Sequence, residues 1–177
     1  MNQFEKFADV TTFIFDVDGV LTDSTLLVTE EGKLLRRMHV RDGYALKRAI
    51  QAGFKVIVIT GGNSEGVRER LYNLGINDVA LGVSDKVAKY GEFIDLYNLD
   101  EDGILYMGDD MPDYDVMRRV GFAVCPHDAC PEIKSISTYI SPVNGGHGCV
   151  REVIERVLKI QRKWEVRKGS ETPTSDL

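Results

Sequence analysis

Two carboxylates and a glycine close an apolar run: Thr12-Phe13-Ile14-Phe15 is followed by Asp16-Val17-Asp18-Gly19. Asp16 and Asp18 are two residues apart, so in continued strand geometry both side chains leave the same face. Like charges at one spot repel and lose hydration, so a shared proton, a cation or both must offset them. Other apolar runs end in further polar groups: Thr60-Gly61, Lys86 at a helix start, and Gly108-Asp109-Asp110 followed by Asp113. Acids offering oxygen ligands suit Mg²⁺, which favours carboxylates, waters and substrate phosphate. Thr60 and Lys86 suit phosphate oxygens, through hydrogen bonding and a point charge. A helix starting near residues 62–64 would add positive partial charge for the same anion. The set points to metal-assisted chemistry on a phosphate.

The elements that must position these groups alternate between strand and helix. Residues 12–15 and 55–60 read as buried strands, being rich in β-branched and aromatic side chains. Residues 78–81, 104–107, 122–124 and 138–140 supply further strands. Helices are expected after Asp42, after Ser64, over 85–97, from Pro112 and over 150–164, with Asp42 and Ser64 as caps. Residues 26–29 and 34–40 flank a glycine-containing turn and predict a β-hairpin between the first strand and the first long helix. This alternation predicts an α/β fold: a Rossmann-like, doubly wound, mostly parallel sheet with helices on both faces. Parallel strands point their carboxyl ends one way, so distant segments converge at one edge. Residues 1–164 read as one domain with a hairpin insertion at about 24–41 in place of a cap, followed by a disordered tail over 165–177.

Composition narrows the class. The 177 residues carry a formal net charge of −6, which argues against non-specific binding of nucleic acid. No window approaches a membrane span, and the N-terminal residues lack a secretory pattern, so a cytoplasmic protein is expected. Cys125, Cys130 and Cys149 are odd in number without metal-type spacing, which fits reduced thiols. His39 and His127 read as surface or packing histidines; His147 differs in standing inside a glycine loop. Arg36, Arg37 and Arg41 read as guards of an exposed hairpin edge.

The ordered set of DVDGVLTD at 16–23, Thr60-Gly61, Lys86 and GDDxxD at 108–113 resembles the four motifs of the haloacid dehalogenase-like phosphatases. The resemblance spans roughly residues 10 to 160. Within that family, the hairpin, Val40-Arg41-Asp42-Gly43 and Gly145-Gly146-His147-Gly148 are similar to the capless phosphatases of 3-deoxy-D-manno-octulosonate 8-phosphate. Relatives acting on nine-carbon keto-deoxy sugar acid 9-phosphates, or on acylneuraminate 9-phosphate, share most of these features.

The resemblance implies that Asp16 is the nucleophile, forming an aspartyl-phosphate, and that Asp18 is the general acid and then base. It implies Mg²⁺ held by Asp16, the backbone carbonyl of Asp18, and Asp109. Thr60, Gly61 and Lys86 would hold the phosphoryl group, Asp110 would orient Lys86, and Asp113 would support the metal's water shell. Substrate contacts are expected from Arg41, Asp42, Arg68 and His147. Gly62 and His147 stand where such phosphatases commonly carry arginine, so either Arg41, Arg68 or Lys33 would supply the missing cation or the substrate would differ. Capless relatives form tetramers around their hairpins, and Leu26, Leu27, Leu34 and Leu35 offer an apolar face for this, so a homotetramer is expected. The setting would be lipopolysaccharide precursor synthesis. Two other classes use overlapping residues. A phospho-accepting signalling domain takes phosphate at a middle strand, whereas here the paired acids follow the first. A non-catalytic scaffold subunit would be marked by loss of Asp16 or Asp18, and both are present.

Overall fold

The computed structural model describes residues 3–165. The chain opens with α1 (Gln3–Asp9) and β1 (Thr12–Phe15), then makes a hairpin of β2 (Leu27–Val28) and β3 (Leu34–Leu35). There follow α2 (Val40–Gln51), β4 (Lys55–Ile59), α3 (Glu65–Asn73), β5 (Asp78–Ala80), α4 (Lys86–Tyr97) and β6 (Ile104–Met107). The last elements are α5 (Tyr114–Met117), β7 (Phe122–Cys125), α6 (Pro131–Ile136), β8 (Tyr139–Ile140) and α7 (Cys149–Ile160). Six strands form a parallel sheet in the order β5-β4-β1-β6-β7-β8. The expected doubly wound α/β architecture is therefore present.

Strand pleating divides the core in two. In β1, Phe13 and Phe15 face a cluster with Leu46 of α2, Leu71 of α3 and Ile154 of α7, while Ile14 faces Tyr90 of α4, Val116 of α5 and Ile133 of α6. From β1 the chain moves outward to β4 and β5, then returns to β6 and moves the other way. The carboxyl ends of β1 and β6 thus flank the switch point, where open α/β sheets make their crevice.

Four local expectations change. β1 stops at Phe15, because the amides of Val20, Leu21 and Thr22 all donate to the Val17 carbonyl and coil the chain into a turn. Asp18 lies in that turn and not on a continued strand. Asp42 does not cap α2, whose N-cap is His39 without a side-chain bond. Its carboxylate instead accepts the Arg151 amide at 2.7 Å, capping the first turn of α7 from across the interface. The hairpin strands are two residues each, shorter than expected, since every one of their side chains is exposed and no core face extends the pairing. Helices α1 and α6 were not expected; each buries a single side chain, Phe7 or Ile133, and leaves no periodic signature. Ser64 does cap α3, its hydroxyl accepting from Val67 N at 3.4 Å. Residues 166–177, which hold nearly all of the expected tail, lie outside those described.

Candidate active site

The turn after β1 is fastened from two sides. Asp16 N donates to the Met107 carbonyl of β6 at 3.1 Å, and Gly146 N donates to the Val20 carbonyl at 3.0 Å. Gly19, at φ +89°, lets the turn close on β6: a Cβ there would lie 1.9 Å from Oδ2 of Asp109. The two acid-bearing loops are therefore pressed together.

A cleft of about 480 Å³ opens over this edge, lined by Asp16, Asp18, Ser24, Thr60, Gly61, Gly62, Ser84, Lys86, Asp109 and Asp110 among others. Lys86, at the first position of α4 and 6% exposed, lies 2.9 Å from Oδ2 of Asp16 and 2.7 Å from Oδ1 of Asp113. Asp113 is fully buried; it also accepts from the Tyr106 hydroxyl at 2.7 Å and from Asp109 N at 3.2 Å. So Asp113, not Asp110, orients Lys86. A short 3-10 turn over Met111–Asp113 carries its carboxylate back beneath Asp109, while Asp110 caps that turn by accepting from Met111 N. Thr60 is buried, and its hydroxyl accepts from Gly62 N at 3.2 Å, leaving its hydrogen free to donate to an anion.

The acids outnumber their cations, and their ionisation shows it. Burial and the Asp113 charge push Asp16 up to about 8 against the pull of Lys86. Burial, Asp113 and Asp110 push Asp109 up to about 7. Burial draws Lys86 down, yet Asp113 and Asp16 together hold it above its usual range, so it stays charged. Carboxylate oxygens of Asp16, Asp109 and Asp113 all lie within 4.8 Å of one another. A buried set of hard oxygen donors short of positive charge fits a divalent cation such as Mg²⁺. Asp16 and Asp109 line the cleft, whereas Asp113 is fully buried beneath Lys86 and lines no part of it, so Asp16 and Asp109 are the side chains placed to hold the ion. The Asp18 carboxylate is outside this cluster; it is forked by Arg36, through Nε at 2.7 Å and Nη2 at 3.1 Å.

Four residues expected near the substrate are placed elsewhere within one chain. Arg41 and His147 line a different depression of about 670 Å³ beside α7, together with His39 and Arg151. Arg68 faces a third depression and pairs with Glu65. Asp42 is 1% exposed and turned toward α7. Ser24 and Arg36, each bonded to an acid of the cleft, were not expected there. Ser24, whose hydroxyl is 3.4 Å from Oδ2 of Asp109, follows the DVDGVLTD motif directly. Arg36 was read as an edge guard, and nothing in a two-residue strand's pattern says that its side chain folds inward.

Residues 78–153 match the haloacid dehalogenase-like hydrolase family. The 3-deoxy-D-manno-octulosonate 8-phosphate phosphatase of Escherichia coli K12 is 34% identical over 164 residues, covering 93% of this chain and 87% of that protein. The chain belongs to this phosphatase family. As a member it is an enzyme, a phosphatase of the haloacid dehalogenase-like class. The crystal structure of the Yersinia pestis phosphatase of the same name matches with a TM-score of 0.88 at 34% identity, covering 91% of this chain and 87% of that one. The Moraxella catarrhalis enzyme, solved with magnesium, phosphate and KDO bound, matches equally at a TM-score of 0.88 and 33% identity, over 93% of this chain and 95% of that one.

Proposed function

We propose that this enzyme is a cytoplasmic, Mg²⁺-dependent phosphatase of 3-deoxy-D-manno-octulosonate 8-phosphate, acting through a phosphoenzyme at Asp16. The observation that carries the reading is Asp16 at the mouth of the β1/β6 crevice, with Lys86 at 2.9 Å and the Asp109 carboxylate beside it. Names of the relatives support the substrate and the ion: one such enzyme was solved with magnesium, phosphate and KDO together.

Asp16 attacks phosphorus through a carboxylate oxygen while the sugar oxygen departs on the opposite side. Lys86, pinned by Asp113, steers Asp16 and neutralises a phosphoryl oxygen, and the Thr60 hydroxyl donates to another. Asp18 gives its proton to the leaving sugar oxygen, then takes one from the water that attacks the phosphoenzyme. Asp16 and Asp109 would hold Mg²⁺, which when bound would supply positive charge that lets an anionic nucleophile approach an anionic phosphate. The catalytic unit spans residues 1–164.

Its specificity and assembly follow the same reading. Arg41 and His147 line no part of the cleft in one chain, whereas Leu27, Val28, Leu34 and Leu35 are between 48% and 67% exposed. A homotetramer built on the hairpins covers those side chains and lets a neighbouring subunit complete the sugar pocket. Phosphate-release kinetics on the eight-carbon 8-phosphate and a nine-carbon keto-deoxy sugar acid 9-phosphate, with and without Mg²⁺, test the reading. The account expects Mg²⁺-dependent turnover with the eight-carbon substrate preferred at least about tenfold in kcat/KM. Equal efficiency on both sugars would overturn the substrate assignment.

A further inference from the structure

We infer that Arg36, reaching down from the hairpin, is a positioning residue for Asp18, which makes the hairpin a working wall of the active site. The inference rests on the phosphatase reading and adds a residue to it. Arg36 Nε donates to Oδ1 of Asp18 at 2.7 Å and Nη2 to Oδ2 at 3.1 Å. A planar guanidinium that grips both oxygens fixes the rotation of a carboxylate as well as its distance. Nη1 also donates to the Leu34 carbonyl at 3.3 Å, bracing the side chain against its own hairpin.

Burial of one partner separates this contact from an ordinary surface ion pair. The Arg36 side chain is 6% exposed, while Asp18, at 36%, stays open to the cleft. Gly62 provides the seat: a Cβ at that position would lie 2.9 Å from Nη2 of Arg36 and 3.0 Å from Oδ2 of Asp18. The loop after β4 has thus left room for a guanidinium arriving from another element. For Asp18 to serve the leaving oxygen, one of its oxygens must turn to the substrate. Arg36 keeps the other, so the carboxyl group swings about one fixed point and does not drift across the cleft.

The effect depends on the leaving group, and that gives the test. An alkyl sugar phosphate expels a poor alkoxide that needs the Asp18 proton; p-nitrophenyl phosphate expels a phenolate that does not. We would measure kcat/KM on both for wild type, Arg36→Gln, Arg36→Lys and Gly62→Ala, using the best sugar phosphate from the kinetics above. Arg36→Gln is expected to lose roughly 10- to 100-fold on the sugar phosphate and under about 3-fold on the aryl ester. Arg36→Lys restores part of the loss, since it returns the charge without the fork. Gly62→Ala, which crowds both the far end of Arg36 and Oδ2 of Asp18 where the two meet, shifts the ratio the same way by less. Equal losses on both substrates, or none on either, would overturn the role of Arg36 while leaving the phosphatase intact. Wild type inert toward both would remove the phosphatase reading, and this inference with it.

Discussion

Lys86 is the residue on which the site's chemistry turns. It holds two carboxylates that would otherwise repel, Asp16 on one side and Asp113 on the other, both within 2.9 Å. One cation cannot neutralise Asp16, Asp109 and Asp113, which is why burial lifts Asp16 to about 8 and Asp109 to about 7. Both acids therefore keep protons in the metal-free fold at pH values where the unfolded chain has released them. Stability of the metal-free protein falls as pH rises from about 4 through 8, and Mg²⁺, which needs the ionised acids, binds more tightly over that interval. Thermal unfolding should show a Mg²⁺-induced rise in Tm that grows from pH 5.5 to pH 8.5, reaching about 5–10 °C at a hundredfold excess over Kd. A rise independent of pH would mean that the ion sits elsewhere. Asp16→Asn should abolish turnover, by roughly a thousandfold or more, without lowering the Tm of the metal-free protein near neutral pH, because the amide replaces a carboxyl group that already keeps its proton there. The acids themselves were legible as residue types at strand ends. Which acid holds Lys86 was not, because the choice between Asp110 and Asp113 is made by a three-residue 3-10 turn that spacing does not encode.

Elements meet the site through a few side chains. Asp42 belongs to α2 but caps α7 through the Arg151 amide, and its second oxygen has no hydrogen-bond partner among the described residues. Burial pushes it up to about 7 from 3.8, so the folded protein holds its proton until near neutrality. That contribution fades between about pH 4 and 7 as the unfolded chain, but not the folded one, ionises. Asp42→Asn keeps the capping oxygen and cannot ionise. Relative to wild type, its stability in chemical denaturation should therefore climb by as much as a few kcal/mol from pH 5 to pH 8. A flat difference would show that Asp42 is already charged in the fold. The sheet and its long helices were readable because their apolar periodicity is set by the core. The Asp42 contact was not, since a residue three positions into a helix and the start of a helix 109 residues later share no local signal.

Assembly belongs to the whole molecule. The hairpin presents Leu27 at 67%, Val28 at 63% and Leu35 at 48% exposure on strands of two residues each. Apolar area of this kind on so small an element marks an interaction surface, the one the proposed tetramer would cover. Leu27→Lys with Leu35→Lys should leave the protein in smaller species than wild type in light scattering, if the proposed tetramer is built on the hairpins. Because Arg36 reaches the cleft from the same hairpin, activity on a sugar phosphate should fall with assembly. A wild-type monomer with full activity would remove the assembly from the account.

The central claim is that Asp16 captures phosphorus beside a divalent cation held with Asp109. Crystals of the wild-type protein grown with Mg²⁺ and orthovanadate test it most directly. The account predicts vanadium in a trigonal bipyramid with an Asp16 oxygen at one apex, Lys86 on an equatorial oxygen, and the ion touching both Asp16 and Asp109. Vanadate bound away from Asp16, or the acids of the cleft standing without an ion between them, would contradict it.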